Sequence, residues 1–223
     1  MKKSFSPYIA GYVVLFGVML SLLLTVPKGE LHVMLNSCHT AAGDVFIRLY
    51  STLAEWPIYV IAAIPLLFKK VRWWSIMYLI SELSAVLPIQ ILKRSFDMPR
   101  PALYFGENEI GNVLPVVEGV KLHQHHSFPS GHTSAFFVFF TTCALLLTHY
   151  YTRRASHPTA QRQAAHVLSL IGLLLLAALG GYSRIYLSQH FLLDVCVGSL
   201  VGVSIPCAVY YVLNKYNKII PNS

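Results

Sequence analysis

The stretch YIAGYVVLFGVMLSLLLTV, Tyr8–Val26, carries no charged residue over 19 positions. A helix needs roughly 20 mostly apolar residues to cross a bilayer. The run is long for the apolar part of a signal peptide, and Pro27-Lys28 follows it rather than a small-residue cleavage site. It therefore predicts a retained membrane-spanning helix.

Five more apolar segments follow, and with the first they predict an all-α polytopic membrane protein, a bundle of six transmembrane helices. The predicted spans are 8–26, 49–68, 73–92, 134–151, 164–182 and 191–213. The segment 49–68 has the weakest pattern because Glu55 interrupts it and Pro57 and Pro65 lie inside it. Neighbouring helices can satisfy the carbonyl groups that such prolines leave free. We expect the chain, 1–223, to form a single domain.

The composition supports a membrane protein and argues against a nucleic-acid-binding one. Charged residues make up 12% of the chain, whereas a soluble domain has about 25%. The net charge of +8 comes from short loops between spans rather than from one face or tail. Membrane lipids are therefore the expected partners of these cations, with no nucleic acid. No obligate protein partner is evident.

The distribution of basic residues predicts the orientation. Six spans place both termini on one side, which then has ten Lys and Arg against seven on the other. The ten are Lys2, Lys3, Lys69, Lys70, Arg72, Arg153, Arg154, Arg162, Lys215 and Lys218. Because cytoplasmic loops are enriched in Lys and Arg, the termini are expected in the cytoplasm. The short chain, without retention or lipidation signals, indicates a bacterial cytoplasmic (inner) membrane.

Three polar motifs fall at the opposite, outer ends of spans three to six. The third joins Ser183-Arg184 to His190 and Asp194. His190 and Asp194 are four residues apart and share one face if they begin a helix. The carboxylate then accepts a hydrogen bond from one imidazole nitrogen and leaves the other free to attack phosphorus. The alternative is an interfacial histidine beside a helix-capping aspartate.

The second motif, Pro129-Ser130-Gly131-His132, lies directly before span four. Pro129 and Ser130 are typical of a helix start, and Gly131 lets backbone amides approach an anion closely. Helix N-termini bind phosphate, so His132 is placed to protonate a leaving oxygen. Taken alone, the motif favours the alternative, an ordinary capped helix with a surface histidine.

The first motif supplies Lys93 and Arg100-Pro101. A guanidinium binds phosphate oxygens through two parallel hydrogen bonds, and a lysine acts as a movable positive charge. Phosphoryl transfer requires such charges around the phosphate oxygens. The alternative is a pair of cations whose side chains reach up to the membrane interface.

In this order the three motifs resemble the signature of the type 2 phosphatidic acid phosphatase family, which is similar to vanadium haloperoxidases and bacterial acid phosphatases. The resemblance spans 93–194. It implies a helical membrane fold with an extracytoplasmic active site, and a metal-independent lipid phosphatase without a cofactor. The implied substrate is a lipid with a terminal phosphate or diphosphate: polyprenyl diphosphate, phosphatidylglycerophosphate, phosphatidate or a lipid A phosphate.

The resemblance also implies a role for each matched residue. His190 would attack phosphorus and form a phosphohistidine, with Asp194 orienting its ring, and His132 would protonate the leaving lipid oxygen. The phosphate would be bound by five groups: Lys93, Arg100, Ser130, Gly131 and Arg184. Transfer to an acceptor other than water is an alternative outcome of the same chemistry. A transporter or flippase that only binds a lipid phosphate is an alternative from a different class.

Other polar residues allow two interpretations. The cluster His123, His125 and His126 could bind zinc, but no cysteine or carboxylate lies at ligand spacing, so headgroup or lid contacts are favoured. Glu82 inside span three is a candidate proton relay. Pairing with a serine or a backbone group of another helix is the favoured alternative. The segment from Lys93 to Gly131 is expected to form an irregular or partly helical lid.

Overall fold

The computed structural model describes residues 2–68, 71–107, 114–154 and 158–215, and within them the chain is helical, without a β-strand. The α-helices are α1 (Lys2–Thr25), α2 (Lys28–Leu35), α3 (Ala41–Thr52), α4 (Pro57–Ala63), α5 (Arg72–Ser95), α6 (Pro101–Glu107), α7 (Gly131–Arg154), α8 (Ala160–Tyr186) and α9 (Leu192–Lys215). A 3₁₀ turn, Ile64–Leu67, follows α4. The predicted all-α class is confirmed.

Among the residues that the structure describes, five helices are long and apolar enough to cross a membrane: α1, α5, α7, α8 and α9. They correspond to predicted spans one, three, four, five and six. Three of them, α5, α7 and α8, extend beyond their predicted apolar cores into the polar motifs. The added turns place Lys93 and Arg184 in the last turns of α5 and α8, and His132 in the first turn of α7.

The prediction of one helix over 49–68 is wrong. This region forms α3 and then, after a break at 53–56, α4 with its 3₁₀ turn, and the two parts are bent by 50°. Pro57 is the first residue of α4, where its missing N–H and fixed φ suit the start of a new helix better than the middle of an old one. The number of spans among the described residues is thus five, or six if the bent pair crosses as one.

Two short helices lie outside the predicted spans. α2 follows α1 directly after Pro27, and α6 starts at Pro101 in the segment expected to be a lid. The partly helical alternative for that segment is therefore correct at α6. Glu109 and Gly111 of the lid, and Lys69, Lys70 and Lys218 of the charge count, lie outside the described residues.

The bundle is centred on α7, which packs mainly against α8 and α9. Glycines make this close approach possible: a Cβ on Gly180 would lie 2.2 Å from the Phe136 ring, and one on Gly202 would lie 2.4 Å from Phe137. Gly198 and Gly202 are four residues apart on α9, a small-residue spacing that lets membrane helices pack backbone to backbone. Tyr8 is hydrogen-bonded to Thr141 at 2.9 Å and ties α1 to α7.

Helix direction explains how distant motifs reach one place. Lys93 lies in the last turn of α5 and Arg184 in the last turn of α8. His132 and Asp194 lie in the first turns of α7 and α9. Since α7 and α9 start where α5 and α8 end, all four residues lie at the same end of the bundle.

Candidate active site

His190 and Asp194 form a buried pair at the start of α9. His190 Nδ1 lies 3.3 Å from Asp194 Oδ2, and the side chains are only 2% and 3% exposed. His190 itself precedes α9, which begins at Leu192, so the two residues meet through the turn leading into the helix. With Nδ1 directed to the carboxylate, His190 Nε2 lies on the other side of the ring from Asp194. That nitrogen is the one available to a substrate.

The environment of His190 favours the neutral imidazole. Burial lowers the pKa of His190 to about 4, and the charges of Arg100 and Arg184 act in the same direction. The hydrogen bond and the charge of Asp194 oppose this shift without reversing it. At neutral pH, His190 therefore carries a free lone pair, which a nucleophile requires.

Asp194 is fixed by several hydrogen bonds. Its Oδ2 accepts a bond from the Ser127 hydroxyl and another from the Phe191 amide at 2.9 Å. The Phe191 contact is a side-chain cap of the α9 N-terminus, where the helix dipole also favours a negative charge. These contacts hold the carboxylate in one orientation, and through it the imidazole ring of His190.

The second motif is attached to the same helix end. The Ser130 amide donates to the Asp194 carbonyl oxygen at 3.0 Å. A Cβ on Gly198 would lie 2.5 Å from the Ser130 carbonyl oxygen, so only glycine lets α9 approach this closely. Ser130 Oγ accepts bonds from the Thr133 amide at 3.3 Å and the Thr133 hydroxyl at 2.9 Å. Ser130 thus caps α7.

Gly131 starts α7 beside an open space, since the nearest atom to a Cβ there would be Ile89 Cγ2 at 3.9 Å. The first amides of a helix have no intrahelical partner. The space beside Gly131 therefore lets an anion approach the N-terminus of α7.

His132 and Glu55 form a second, more exposed pair. His132 Nε2 lies 3.9 Å from Glu55 Oε1, and the side chains are 32% and 56% exposed. Glu55 belongs to the break between α3 and α4. Here too one imidazole nitrogen faces a carboxylate, and Nδ1 lies on the other side of the ring.

Arg100 is held beside the turn that contains His190. Its Nε donates to the His125 carbonyl oxygen at 2.9 Å, and NH1 lies 3.2 Å from Gln189 Oε1 and 3.3 Å from the Gln189 carbonyl oxygen. Burial lowers the pKa of Arg100, and the charge of Asp194 opposes the shift. A guanidinium remains charged under such conditions. It lies next to the residue that precedes His190.

Arg184 and Lys93 complete the cationic groups. Arg184 is 9% exposed, its NH1 donates to the Ser51 hydroxyl, and its Nε has no partner in the described ranges. A buried, unpaired guanidinium N–H is costly unless a ligand accepts from it. Lys93 Nζ donates to the His126 carbonyl oxygen at 3.3 Å. The structure thus gathers Lys93, Arg100, Ser130, Gly131, His132, Arg184, His190 and Asp194 at one end of the bundle.

The motif search missed three residues of this region. Gln189 accepts from Arg100 and donates through Nε2 to the Lys121 carbonyl oxygen at 3.0 Å, and Ser127 donates to Asp194. Glu55 was noted only as an interruption of a span. Gln189 and Ser127 adjoin motif residues, which is a weak signal. Glu55 is far from all three motifs in the sequence. A charged residue within an apolar segment was the one sign that it could have a function.

Two other interpretations need correction. Asp97, absent from the sequence argument, brings a carboxylate to the histidine cluster: its Oδ1 lies 3.2 Å from His126 Nδ1 and its Oδ2 3.9 Å from His125 Nδ1. Over the described ranges, no group of three or more His, Cys, Asp or Glu has a geometry that could hold a metal ion.

The partner of Glu82 differs from the expected one. Glu82 accepts a hydrogen bond from the Tyr59 hydroxyl at 3.2 Å, rather than from a serine or a backbone group.

The comparisons show the family and agree with the fold. Residues 74–218 match the family model of the PAP2 superfamily, and the chain belongs to that family. The crystal structure of LpxE from Aquifex aeolicus aligns with a TM-score of 0.57 and 24% identity, over 82% of this chain and 93% of that one. At this identity the likeness shows the fold. Curated protein sequences give no significant match.

Family and fold together support a membrane lipid phosphatase. The resemblance found in the three motifs is thereby confirmed at the level of the family. The roles of individual residues are a matter for proposal.

Proposed function

We propose that the chain, as a single domain over 1–223, hydrolyses a terminal phosphate or diphosphate from a membrane lipid through a phosphohistidine on His190. The observation that carries the proposal is the buried pair: a neutral imidazole with Nδ1 on Asp194 and Nε2 on the opposite side of the ring, beside the cations Arg100 and Arg184 from separate segments. This is the arrangement of a nucleophile with its orienting carboxylate.

In the first step, His190 Nε2 attacks phosphorus as the bond to the lipid oxygen breaks. The electron pair of that bond stays on the lipid oxygen, and protonated His132 gives it a proton. Lys93, Arg100 and Arg184 stabilise the charge on the phosphate oxygens, together with the amide of Gly131 and the end of α7 that Ser130 caps. The unpaired Nε of Arg184 supports this assignment, because a phosphate oxygen would be its missing acceptor.

In the second step, water attacks phosphorus and the P–N bond breaks. Neutral His132 takes the proton of the water, which restores the starting protonation state. No step uses a metal ion or a cofactor. The electron pair returns to His190, and inorganic phosphate leaves.

Location follows from the charge count. The site would face the periplasm or outer surface of a bacterial inner membrane, with the termini in the cytoplasm. A site at the end of the bundle is suited to a phosphate at the membrane surface while the hydrocarbon chain stays in the bilayer. Candidate substrates remain polyprenyl diphosphate, phosphatidylglycerophosphate, phosphatidate and lipid A phosphates.

The test is phosphate release by the purified protein in detergent from a panel of these lipids, with a chelator present throughout. We expect release that the chelator does not reduce and that His190→Ala abolishes. Undiminished release by His190→Ala would refute the nucleophile. A newly phosphorylated acceptor in place of free phosphate would identify a transferase, and lipid binding without product by the wild type would identify a transporter.

A further inference from the structure

Glu55 is out of place in a site that binds phosphate. A carboxylate repels a phosphate dianion and weakens the attraction of nearby cations. Its Oε1 nevertheless lies 3.9 Å from His132 Nε2, in the break that interrupts the helical path between α3 and α4. The charge of Glu55 also acts on Arg184. Phosphate binding alone does not explain why a carboxylate lies in this position.

The explanation lies in the surroundings of His132. Burial of the ring disfavours a positive charge on it, and Arg184 of α8, His190 of the turn before α9, Arg100 of the loop after α5 and Lys93 of α5 act in the same direction. Asp194 of α9 is already engaged by His190, Ser127 and the Phe191 amide. The other groups disfavour a further positive charge, yet a general acid must carry its proton before the leaving group departs.

We propose that Glu55 is a positioning residue that keeps the proton on His132 and directs His132 Nδ1 toward the leaving lipid oxygen. The inference rests on the proposed hydrolysis. With Nε2–H directed to Glu55, the imidazolium has its second N–H free for the substrate, and it returns to the neutral form when that proton moves to the lipid oxygen. Water restores the proton in the second step, so Glu55 remains ionised throughout.

The broken span gives this proposal a structural basis. Ser51, near the end of α3, binds Arg184 through its hydroxyl, and Glu55 follows four residues later in the break. A continuous helix over this region would follow one straight axis. Instead, the axis of α4 is bent by 50° from that of α3, just after Glu55. The break therefore leaves one carboxylate at the mouth of the site beside the general acid.

A surface ion pair without functional consequence is the competing explanation, because exposed pairs typically contribute little. Leaving-group chemistry separates the two. An alkyl phosphate releases a strongly basic alkoxide that needs a proton, whereas p-nitrophenyl phosphate releases a weakly basic phenolate that does not. A residue that keeps the proton on the acid affects only the first substrate.

The experiment compares wild type, Glu55→Gln, Glu55→Asp and the control Glu107→Gln, which removes an exposed carboxylate at the end of α6. Each protein is assayed from pH 5 to 9 with phosphatidate and with p-nitrophenyl phosphate, and its thermal midpoint is measured. His132→Gln serves as the reference for complete loss of the acid.

For Glu55→Gln, we expect the alkaline limb of kcat on phosphatidate to move down by about half to one pH unit, with a rate loss of about 3–10-fold at pH 8. The rate on p-nitrophenyl phosphate should not change. Glu55→Asp should restore part of the alkaline limb, and Glu107→Gln should match wild type. His132→Gln should lose activity on both substrates, and more on phosphatidate, because it removes both the acid of the first step and the base of the second.

Equal losses on both substrates would overturn the proposal, since they would show that Glu55 supports the site as a whole, for example through Arg184. An unchanged profile in Glu55→Gln would overturn it as well and leave a surface ion pair. Wild-type protein that releases no phosphate from either substrate would instead refute the proposed function itself.

Discussion

The buried pair, His190–Asp194, and the exposed pair, His132–Glu55, use the same two side-chain types in different surroundings. The buried pair is nearly inaccessible, with 2% and 3% of the side chains exposed at 3.3 Å. The exposed pair is 32% and 56% exposed at 3.9 Å and joins two separate segments. The first environment favours a neutral imidazole with one fixed tautomer, as a nucleophile requires. The second gives water access to a ring that has to gain and lose a proton.

The largest effect is expected at the nucleophile. His190→Gln should lower turnover on every substrate by about 10⁴-fold or more, because no other described group takes its place and triad nucleophiles show losses of this size. Phosphate release from phosphatidate and from p-nitrophenyl phosphate measures it. A residual rate above 1% of wild type, in protein with an unchanged thermal midpoint, would contradict the nucleophile role proposed for the buried pair.

The orienting carboxylate should come next. Asp194→Asn keeps the shape but lets the amide favour the wrong tautomer, so we expect a loss of about 10²–10⁴-fold in kcat. The loss should be equal on both substrates, unlike that of Glu55→Gln, because orientation of the nucleophile matters for any leaving group. The ratio of the two rates is the readout. A loss confined to phosphatidate would mean that the two carboxylates act alike.

The pH dependence of the buried pair has a definite sign. The pKa of His190 lies at about 4, below the ordinary value of 6.5, so the nucleophile should stay unprotonated until pH falls to about 4. In Asp194→Asn the acid limb should move to still lower pH, because the carboxylate that favours protonation is gone. That movement separates His190 from the second ionisation of the substrate phosphate, which would not respond. A limb near 6.5 in the wild type would contradict the burial effect.

The free energy of unfolding should also depend on the protonation of His190. Between pH 6.5 and about 4 the unfolded chain binds a proton on His190 that the folded protein excludes. The contribution of His190 to the free energy of unfolding therefore falls as the pH drops through this window. His190→Gln should show a weaker pH dependence of the thermal midpoint than wild type. Identical curves would indicate that other groups dominate the window.

The sequence could predict the buried pair because its partners are only four residues apart, although His190 lies in the turn before α9 rather than inside the helix. The long apolar runs likewise predicted five of the helices. The exposed pair could not be predicted in this way, because His132 and Glu55 meet only through packing of α7 against the break. That break also explains the error at 49–68: hydropathy measures apolar content, and it does not detect a bend.

The smallest effect is expected at the packing contact behind both pairs. Gly198→Ala places a methyl group against the Ser130 carbonyl oxygen, where a Cβ would lie at 2.5 Å. The second motif must then move from α9, at a cost of about 1–3 kcal/mol in stability. We expect a lower thermal midpoint and a loss of several-fold in kcat on both substrates. Gly172→Ala is the matched control, since a Cβ there meets no atom within 4 Å.

The most direct test of the account is the site of covalent phosphorylation. Protein mixed with labelled p-nitrophenyl phosphate is quenched within milliseconds in alkali, which preserves phosphohistidine, and the labelled peptide is identified by mass spectrometry. The account predicts phosphate on His190, absent from His190→Gln and accumulating in His132→Gln, where the second step is slow. Phosphate on His132 or another residue, or turnover with no labelled intermediate, would contradict it.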